Sequence, residues 1–114
     1  MRKSCLPCNS KTSPLNKIEI SKLLEEIPEY ELINIDTIQR LSKTYHFKNF
    51  KEALAFTNNL ADIAEKENHH PQIVLEWGKV KVSWWTHSIL GLDTNDFVMA
   101  YKTEELLSTL KRSS

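Results

Sequence analysis

The chain has 114 residues, the length of a single domain that can bury a hydrophobic core without disulfide bonds. Hydrophobic residues make up 40% of the sequence, and 15 Lys and Arg residues balance 15 Asp and Glu residues. This composition argues against a disordered chain, and the lack of a basic excess argues against a nucleic-acid-binding protein. No apolar run reaches the ~18–20 residues that span a bilayer, and no apolar segment typical of a secretory signal follows the N-terminus, so we expect a cytoplasmic protein.

The first segment, residues 1–14, is polar and contains two prolines, which predicts a mobile tail ahead of a single domain at 15–114. Cys5 and Cys8 form a C-x-x-C motif in this segment. A redox motif would be expected at a strand-to-helix junction, and a zinc site would need two further ligands nearby. A polar loop sequence follows instead, so we interpret the two cysteines as incidental.

The first half of the domain predicts a helix and a hairpin. Asn16 as N-cap and Glu19 three residues later form a capping-box pattern, and Pro28 is expected to end the helix. Residues 29–35 and 37–47 both show the alternation of a strand, and the Asn-Ile-Asp sequence between them suits a short turn.

The central helix is predicted to begin after Asn49, again with a glutamate three residues later. Apolar residues at helical spacing continue to Ala64, and Pro71 predicts an end near residues 68–69. A second hairpin follows over residues 72–87, with its turn at Gly78 and Lys79.

The last helix is predicted to begin after Asp93, which can act as its N-cap, with Asp96 in its first turn. The element order is therefore α-β-β-α-β-β-α. Two hairpins separated by a helix predict an α+β fold, in which a four-stranded antiparallel sheet carries helices on one face.

The candidate functional residues are Glu65, His69, His70, His87 and Asp96. Glu65 lies one helical turn before His69, so these two side chains could meet if the helix extends that far. His87 is predicted to end the fourth strand, on the parity opposite Val82 and Trp84. A histidine at a helix end and an aspartate in a first turn also have purely structural explanations.

Two kinds of chemistry remain open for these residues. A metal site would need three ligands around one ion, but the sequence lacks the histidine pair four residues apart of H-E-x-x-H, and adjacent histidines rarely chelate one ion together. General acid–base catalysis needs only imidazoles with a pKa near neutrality beside the reacting group, because His is the side chain that titrates there.

The spacing resembles a known signature. Glu65-x-x-x-His69-His70-Pro71, followed by Trp77, His87 and Asp96, is similar to the pattern of the pterin-4a-carbinolamine dehydratases, and the resemblance covers nearly the whole chain. It departs from the family at Tyr30, where a tryptophan is usual, at Leu90-Gly91 in place of Gly-Gly, at Asp93 in place of a capping threonine, and in the late position of Trp77 after the histidines.

The resemblance implies dehydration of a 4a-hydroxytetrahydropterin to quinonoid dihydropterin, which recycles the pterin of aromatic amino acid hydroxylases. It implies that His69 and His87 act as acids or bases at the 4a-hydroxyl, that His70 holds the pterin, and that Glu65, Asp96 and Trp77 bind or orient. It implies no metal and no cofactor, a homodimer or homotetramer, and phenylalanine hydroxylase as a functional partner. Two alternatives stay open: a non-catalytic pterin- or protein-binding module that stabilises partner oligomers, and a metallohydrolase with three histidine ligands.

Overall fold

The computed structural model describes residues 15–113, with side chains as far as Leu110. The predicted tail at 1–14, including Cys5 and Cys8, lies outside the described residues. Within the described residues, no helix is long and apolar enough to cross a membrane.

Three α-helices, four β-strands and one short 3₁₀ helix occur in this part of the chain: α1 (Lys17–Leu24), β1 (Glu31–Ile35), β2 (Ile38–His46), α2 (Phe50–Glu67), β3 (Gln72–Glu76), β4 (Lys79–Trp84), the 3₁₀ helix (His87–Ile89) and α3 (Thr94–Ser113). All neighbouring strands are antiparallel, in the order β1-β2-β4-β3. The predicted α+β fold and its element order are confirmed.

The predicted helix starts are confirmed at α1 and α2. The side chain of Asn16 accepts a hydrogen bond from the Glu19 amide at 2.9 Å, and the Glu19 carboxylate accepts one from the Asn16 amide at 3.0 Å. Asn49 likewise accepts from the Glu52 amide at 2.8 Å. Each cap satisfies an amide that has no partner within the helix, which fixes the residue at which the helix begins.

The hydrophobic core lies between the sheet and the helices, with α2 packed against β3 and β4 and α3 packed against β2 and β4. Alternate residues of β2 and β4 point into it, because successive side chains on a strand face opposite sides of the sheet. The large, fully buried side chains of these strands and helices are Leu41, Tyr45, Phe56, Leu60, Val80, Val82, Trp84, Phe97, Val98 and Met99.

Several predicted boundaries were wrong. Helix α1 ends at Leu24, before Pro28, because the amides of Glu26 and Ile27 bond to carbonyls three residues back and tighten the chain into turns. The β1–β2 turn falls one residue later than predicted, and the β3–β4 turn falls one residue earlier.

The fourth strand was also predicted too long. It ends at Trp84, where its pairing with Leu41 of β2 is the last of the ladder. Thr86 then forms an isolated bridge to Gly91, with its amide donating to the Gly91 carbonyl at 2.8 Å. This closure turns the chain back on itself and places His87 in the 3₁₀ helix instead of on the strand.

The β1–β2 turn contains a conformation that its residues do not favour. Asp36 and Thr37 have φ values of 52° and 67°. Two positive φ angles match the right-handed twist of a two-residue hairpin, but a β-branched side chain in this region is strained.

Replacing Thr37 by glycine should therefore raise the free energy of unfolding by about 0.5–1 kcal/mol, because glycine removes the strain at a modest entropic cost. The midpoint of thermal unfolding measures the effect. Thr44→Gly is the matched control: Thr44 lies exposed within β2 in extended conformation, and glycine should lower the midpoint there. A Thr37→Gly midpoint at or below the wild-type value would contradict the strain argument.

Candidate functional site

The end of helix α2 directs His69 towards the sheet. Asn68 caps the helix in the left-handed conformation, with φ 52° and ψ 43°. The amide of His69 then donates to the Ala64 carbonyl at 3.1 Å, which completes the C-terminal turn. Asparagine tolerates this conformation better than most residues, so the reversal is encoded locally at Asn68.

Asp96 connects three separate segments of the chain. One carboxylate oxygen, Oδ1, lies 2.6 Å from Nε2 of His69. The other, Oδ2, accepts hydrogen bonds from the hydroxyl of Thr86 at 2.8 Å and from the amide of Asp93 at 2.9 Å. Asp96 has 0% exposure, so these partners replace the water that the carboxylate has lost.

The pairing with Asp96 fixes which nitrogen of His69 carries the proton. A carboxylate that already receives the Thr86 hydroxyl and the Asp93 amide acts as an acceptor, so Nε2 of His69 donates to it. In the neutral ring, Nδ1 then keeps a lone pair for proton transfer. The imidazole also stacks on Trp84, with 6.0 Å between ring centroids and 14° between planes, and its side chain is only 10% exposed.

His87 lies in the 3₁₀ helix that follows β4. Its exposed ring contacts the ring of Trp85, with 4.7 Å between centroids and an interplanar angle of 36°. The residue before it, Thr86, is the one whose hydroxyl binds Asp96. Three consecutive residues before His87 therefore contact the site residues. Trp84 stacks on His69, Trp85 contacts His87, and Thr86 donates a hydrogen bond to Asp96.

Glu65 lies near His70 and not near His69 as the sequence suggested. Its Oε1 is 3.5 Å from Nε2 of His70, and the two side chains are 78% and 54% exposed. The pairing expected with His69 required the helix to continue, but α2 ends at Glu67 and the left-handed cap turns His69 away. Ion pairs this exposed contribute little to stability, so this contact leaves His70 free to turn towards a ligand.

Trp77 is not brought together with the histidines. It lies in the β3–β4 turn, 69% exposed, whereas His70 precedes the other end of β3. The whole of β3 separates the two positions, and Gln72 at its start pairs with Ser83 near the end of β4.

Tyr30, which stands where the family pattern has tryptophan, is buried in the core. Its hydroxyl accepts a hydrogen bond from the Tyr45 hydroxyl at 2.8 Å. Burial raises the pKa of Tyr30 and the pKa of Tyr45 well above the ordinary value for tyrosine. Both phenols therefore stay protonated and act as neutral hydrogen-bonding groups within the core.

A groove of about 600 Å³ lies elsewhere on the molecule, between the start of α2 and the C-terminal half of α3. It is lined by His46, Phe47, Lys48, Glu52, Ala55, Leu107 and Leu110, which include none of the candidate residues. Among residues 15–113, no three His, Cys, Asp or Glu side chains converge as metal ligands.

Sequence reasoning missed Thr86 and Trp84 as parts of the site. Thr86 is buried and donates to Asp96, and Trp84 supports the His69 ring. Trp84 was predicted only as a residue of the fourth strand, and no motif distinguishes Thr86 from other threonines. The one signal that could have indicated them is that both lie within three residues of His87 in the sequence.

The fold and the site define an α+β protein in which a buried carboxylate orients a histidine at one end of an antiparallel sheet, an arrangement suited to proton transfer. The chain belongs to the pterin 4 alpha carbinolamine dehydratase family, whose model matches residues 13–106.

Two relatives illustrate the similarity. Proteins of Chlorobium luteolum and Marinobacter nauticus, each provisionally named a pterin-4-alpha-carbinolamine dehydratase, are 48% and 49% identical to this chain. The alignments cover 93% of this chain and 93% of the Chlorobium protein, and 92% of this chain and 95% of the Marinobacter protein.

Solved structures show the same fold. A crystal structure described as a transcriptional coactivator/pterin dehydratase from Brucella melitensis superposes with a TM-score of 0.75 at 28% identity, covering 82% of this chain and 98% of that one. A pterin dehydratase-like protein described as a RuBisCO assembly factor in the alpha-carboxysome superposes with a TM-score of 0.56 at 19% identity, covering 67% and 88%. This second likeness concerns the fold alone.

Proposed function

We propose that this protein dehydrates a 4a-hydroxytetrahydropterin to the quinonoid dihydropterin and water by histidine general acid–base catalysis. The observation that carries the proposal is the 2.6 Å contact between Nε2 of His69 and the fully buried Asp96. A carboxylate that orients one imidazole nitrogen leaves the other for the substrate, which is what general acid–base catalysis requires. Membership of the dehydratase family supplies the substrate class.

The reaction needs two proton transfers. The bond between C4a and its hydroxyl oxygen breaks as that oxygen accepts a proton, so water leaves. The proton on N5 is removed, and its bonding electrons form the double bond between C4a and N5. Positioned imidazoles are suited to both transfers, and each typically contributes about 10²–10⁴-fold to a rate.

The proposed roles follow the environments of the three histidines. His69 and His87 serve as the acid or base at the 4a-hydroxyl and N5, and Asp96 orients His69. His70, half-exposed beside Glu65, binds the pterin ring. We leave Trp77 out of the proposed contacts with this pterin, because β3 separates it from His70.

The same proposal includes three further points. A phenylalanine hydroxylase is the source of the substrate, the protein assembles into a homodimer or homotetramer, and its location is cytoplasmic. An aromatic amino acid hydroxylase leaves a 4a-hydroxylated pterin, so such an enzyme would generate the substrate directly upstream.

Absorbance of freshly generated 4a-hydroxytetrahydropterin in the ultraviolet tests the proposal. We expect the wild-type protein to accelerate the loss of this species well beyond the rate in buffer, equally with and without EDTA. A rate that EDTA abolishes would instead support the metallohydrolase alternative.

A wild-type rate equal to the buffer rate would contradict the dehydratase proposal. Equilibrium binding of a stable tetrahydropterin, measured by quenching of tryptophan fluorescence, would then decide the remaining alternative. Binding without turnover would indicate a non-catalytic pterin-binding module, which is the second candidate function.

A further inference from the structure

Arg40 connects the sheet to His87 through the indole of Trp85. The guanidinium carbon of Arg40 lies 4.0 Å from the centroid of the Trp85 ring. The same indole contacts the imidazole of His87, with 4.7 Å between ring centroids. Two contacts therefore connect a residue near the start of β2 to a histidine of the proposed site.

The β2–β4 pairing explains why Arg40 reaches Trp85. Leu41 pairs with Trp84 at the end of this ladder, so the next residues outward, Arg40 and Trp85, lie side by side on the opposite face of the sheet. The Nε atom of Arg40 is buried and has no hydrogen-bond partner among the described residues. The contact with the face of the Trp85 indole is therefore a main interaction of the Arg40 guanidinium. Such cation–π contacts strengthen when water is excluded.

The indole of Trp85 supports the ring of His87. The 3₁₀ helix that carries it has three residues, and Leu90, which follows it, has a positive φ of 49°. The His87 side chain is exposed, whereas Trp85 is only 9% exposed and hence held by its surroundings. The indole is thus the fixed surface against which the imidazole rests.

We propose that Arg40 is a positioning residue: by holding the indole of Trp85, it fixes the orientation of the His87 ring for proton transfer. This inference rests on the proposed function for its catalytic consequence. Arg40 does not belong to the motif that identified the histidines, and it lies on the side of the sheet away from Trp84 and His69.

The first test compares kcat and KM for wild type, Arg40→Met and Arg40→Lys. Methionine keeps the length of the side chain and removes the charge, so kcat should fall by about tenfold with little change in KM, since misoriented catalytic groups slow chemistry more than binding. Arg40→Lys should restore part of the loss, because an ammonium also interacts with an aromatic face. Lys81→Met, which removes an exposed positive charge from the same face, is the control and should leave both constants unchanged.

A double variant tests the route through Trp85. In a Trp85→Leu background, Arg40→Met should lower kcat by less than about twofold, because contacts that act as one unit are not additive. A full tenfold loss in that background would overturn the proposal. A rise in KM at unchanged kcat would also overturn it, since it would indicate direct contact of Arg40 with the substrate.

The second readout does not require activity. The ring protons of His87 in the NMR spectrum should be shifted by the ring current of Trp85. Arg40→Met should change these shifts, and Lys81→Met should not. Unchanged His87 signals in Arg40→Met would refute the positioning role of Arg40 and leave the proposed function untouched. An inactive wild-type protein with the expected shifts would refute the proposed function and leave the contact between Trp85 and His87 intact.

Discussion

Replacing His69 by alanine is expected to lower the rate of pterin dehydration by about 10²–10⁴-fold, the range typical for loss of a positioned acid or base. The expectation rests on the environment of this imidazole. Its Nε2 is held by Asp96 at 2.6 Å, its ring is parallel to Trp84, and little of it is open to solvent. Of the three site histidines, His69 has its orientation determined most completely.

The measurement is kcat with freshly generated 4a-hydroxytetrahydropterin for wild type and His69→Ala, with folding checked by circular dichroism. His46→Ala is the matched control, since His46 is an exposed histidine of β2 that pairs with Lys79 at the far end of the sheet. It should retain the wild-type rate. A folded His69→Ala variant with kcat within threefold of wild type would exclude His69 as an acid or base.

Replacing Asp96 is expected to have the next largest effect, and two variants separate its two roles. Asp96→Asn keeps the size of the side chain and one carbonyl oxygen, which can still accept from Thr86 and the Asp93 amide. Its amide group then faces His69 as a donor and forces the opposite tautomer, so that kcat should fall by about 10²-fold or more with little loss of stability.

Asp96→Ala should also destabilise the fold. It leaves the buried hydroxyl of Thr86 and the amide of Asp93 without their acceptor, and each unsatisfied group costs about 1–3 kcal/mol. We expect the midpoint of urea unfolding to fall clearly for alanine and only slightly for asparagine. Asp62→Asn, an exposed carboxylate on α2, is the control and should change neither stability nor rate.

Each Asp96 variant could contradict one of the two proposed roles of this carboxylate. An Asp96→Asn variant with the wild-type kcat would show that the tautomer of His69 does not matter to the reaction. An Asp96→Ala variant as stable as wild type would show that Thr86 and Asp93 find other partners.

The starts of α1 and α2 could be predicted from the sequence. The caps at Asn16 and Asn49 depend on residues three positions apart, and α2 ends at Glu67, just before the residues 68–69 that Pro71 predicts. These are local signals, because a cap satisfies amides within one helical turn and a proline restricts its immediate neighbour. The fold class followed from the order of such elements.

The end of β4 could not be predicted in the same way. The apolar alternation of Val80, Val82 and Trp84 does not show where the strand ends, but the ladder stops at Trp84 and Thr86 pairs with Gly91 instead. Which strand residues have a partner depends on the register with β2, and register is a property of the assembled sheet.

For the site, the types and the spacing of the three histidines, Glu65 and Asp96 can be read from the sequence, and they indicate acid–base chemistry. The pairing of Asp96 with His69 across 27 positions, and the contact of Glu65 with His70, depend on the packed fold. The contacts of Trp85 with Arg40 and with His87 depend on it as well. Local signals specify elements over a few residues, whereas contacts between distant residues are fixed by how those elements pack into one core.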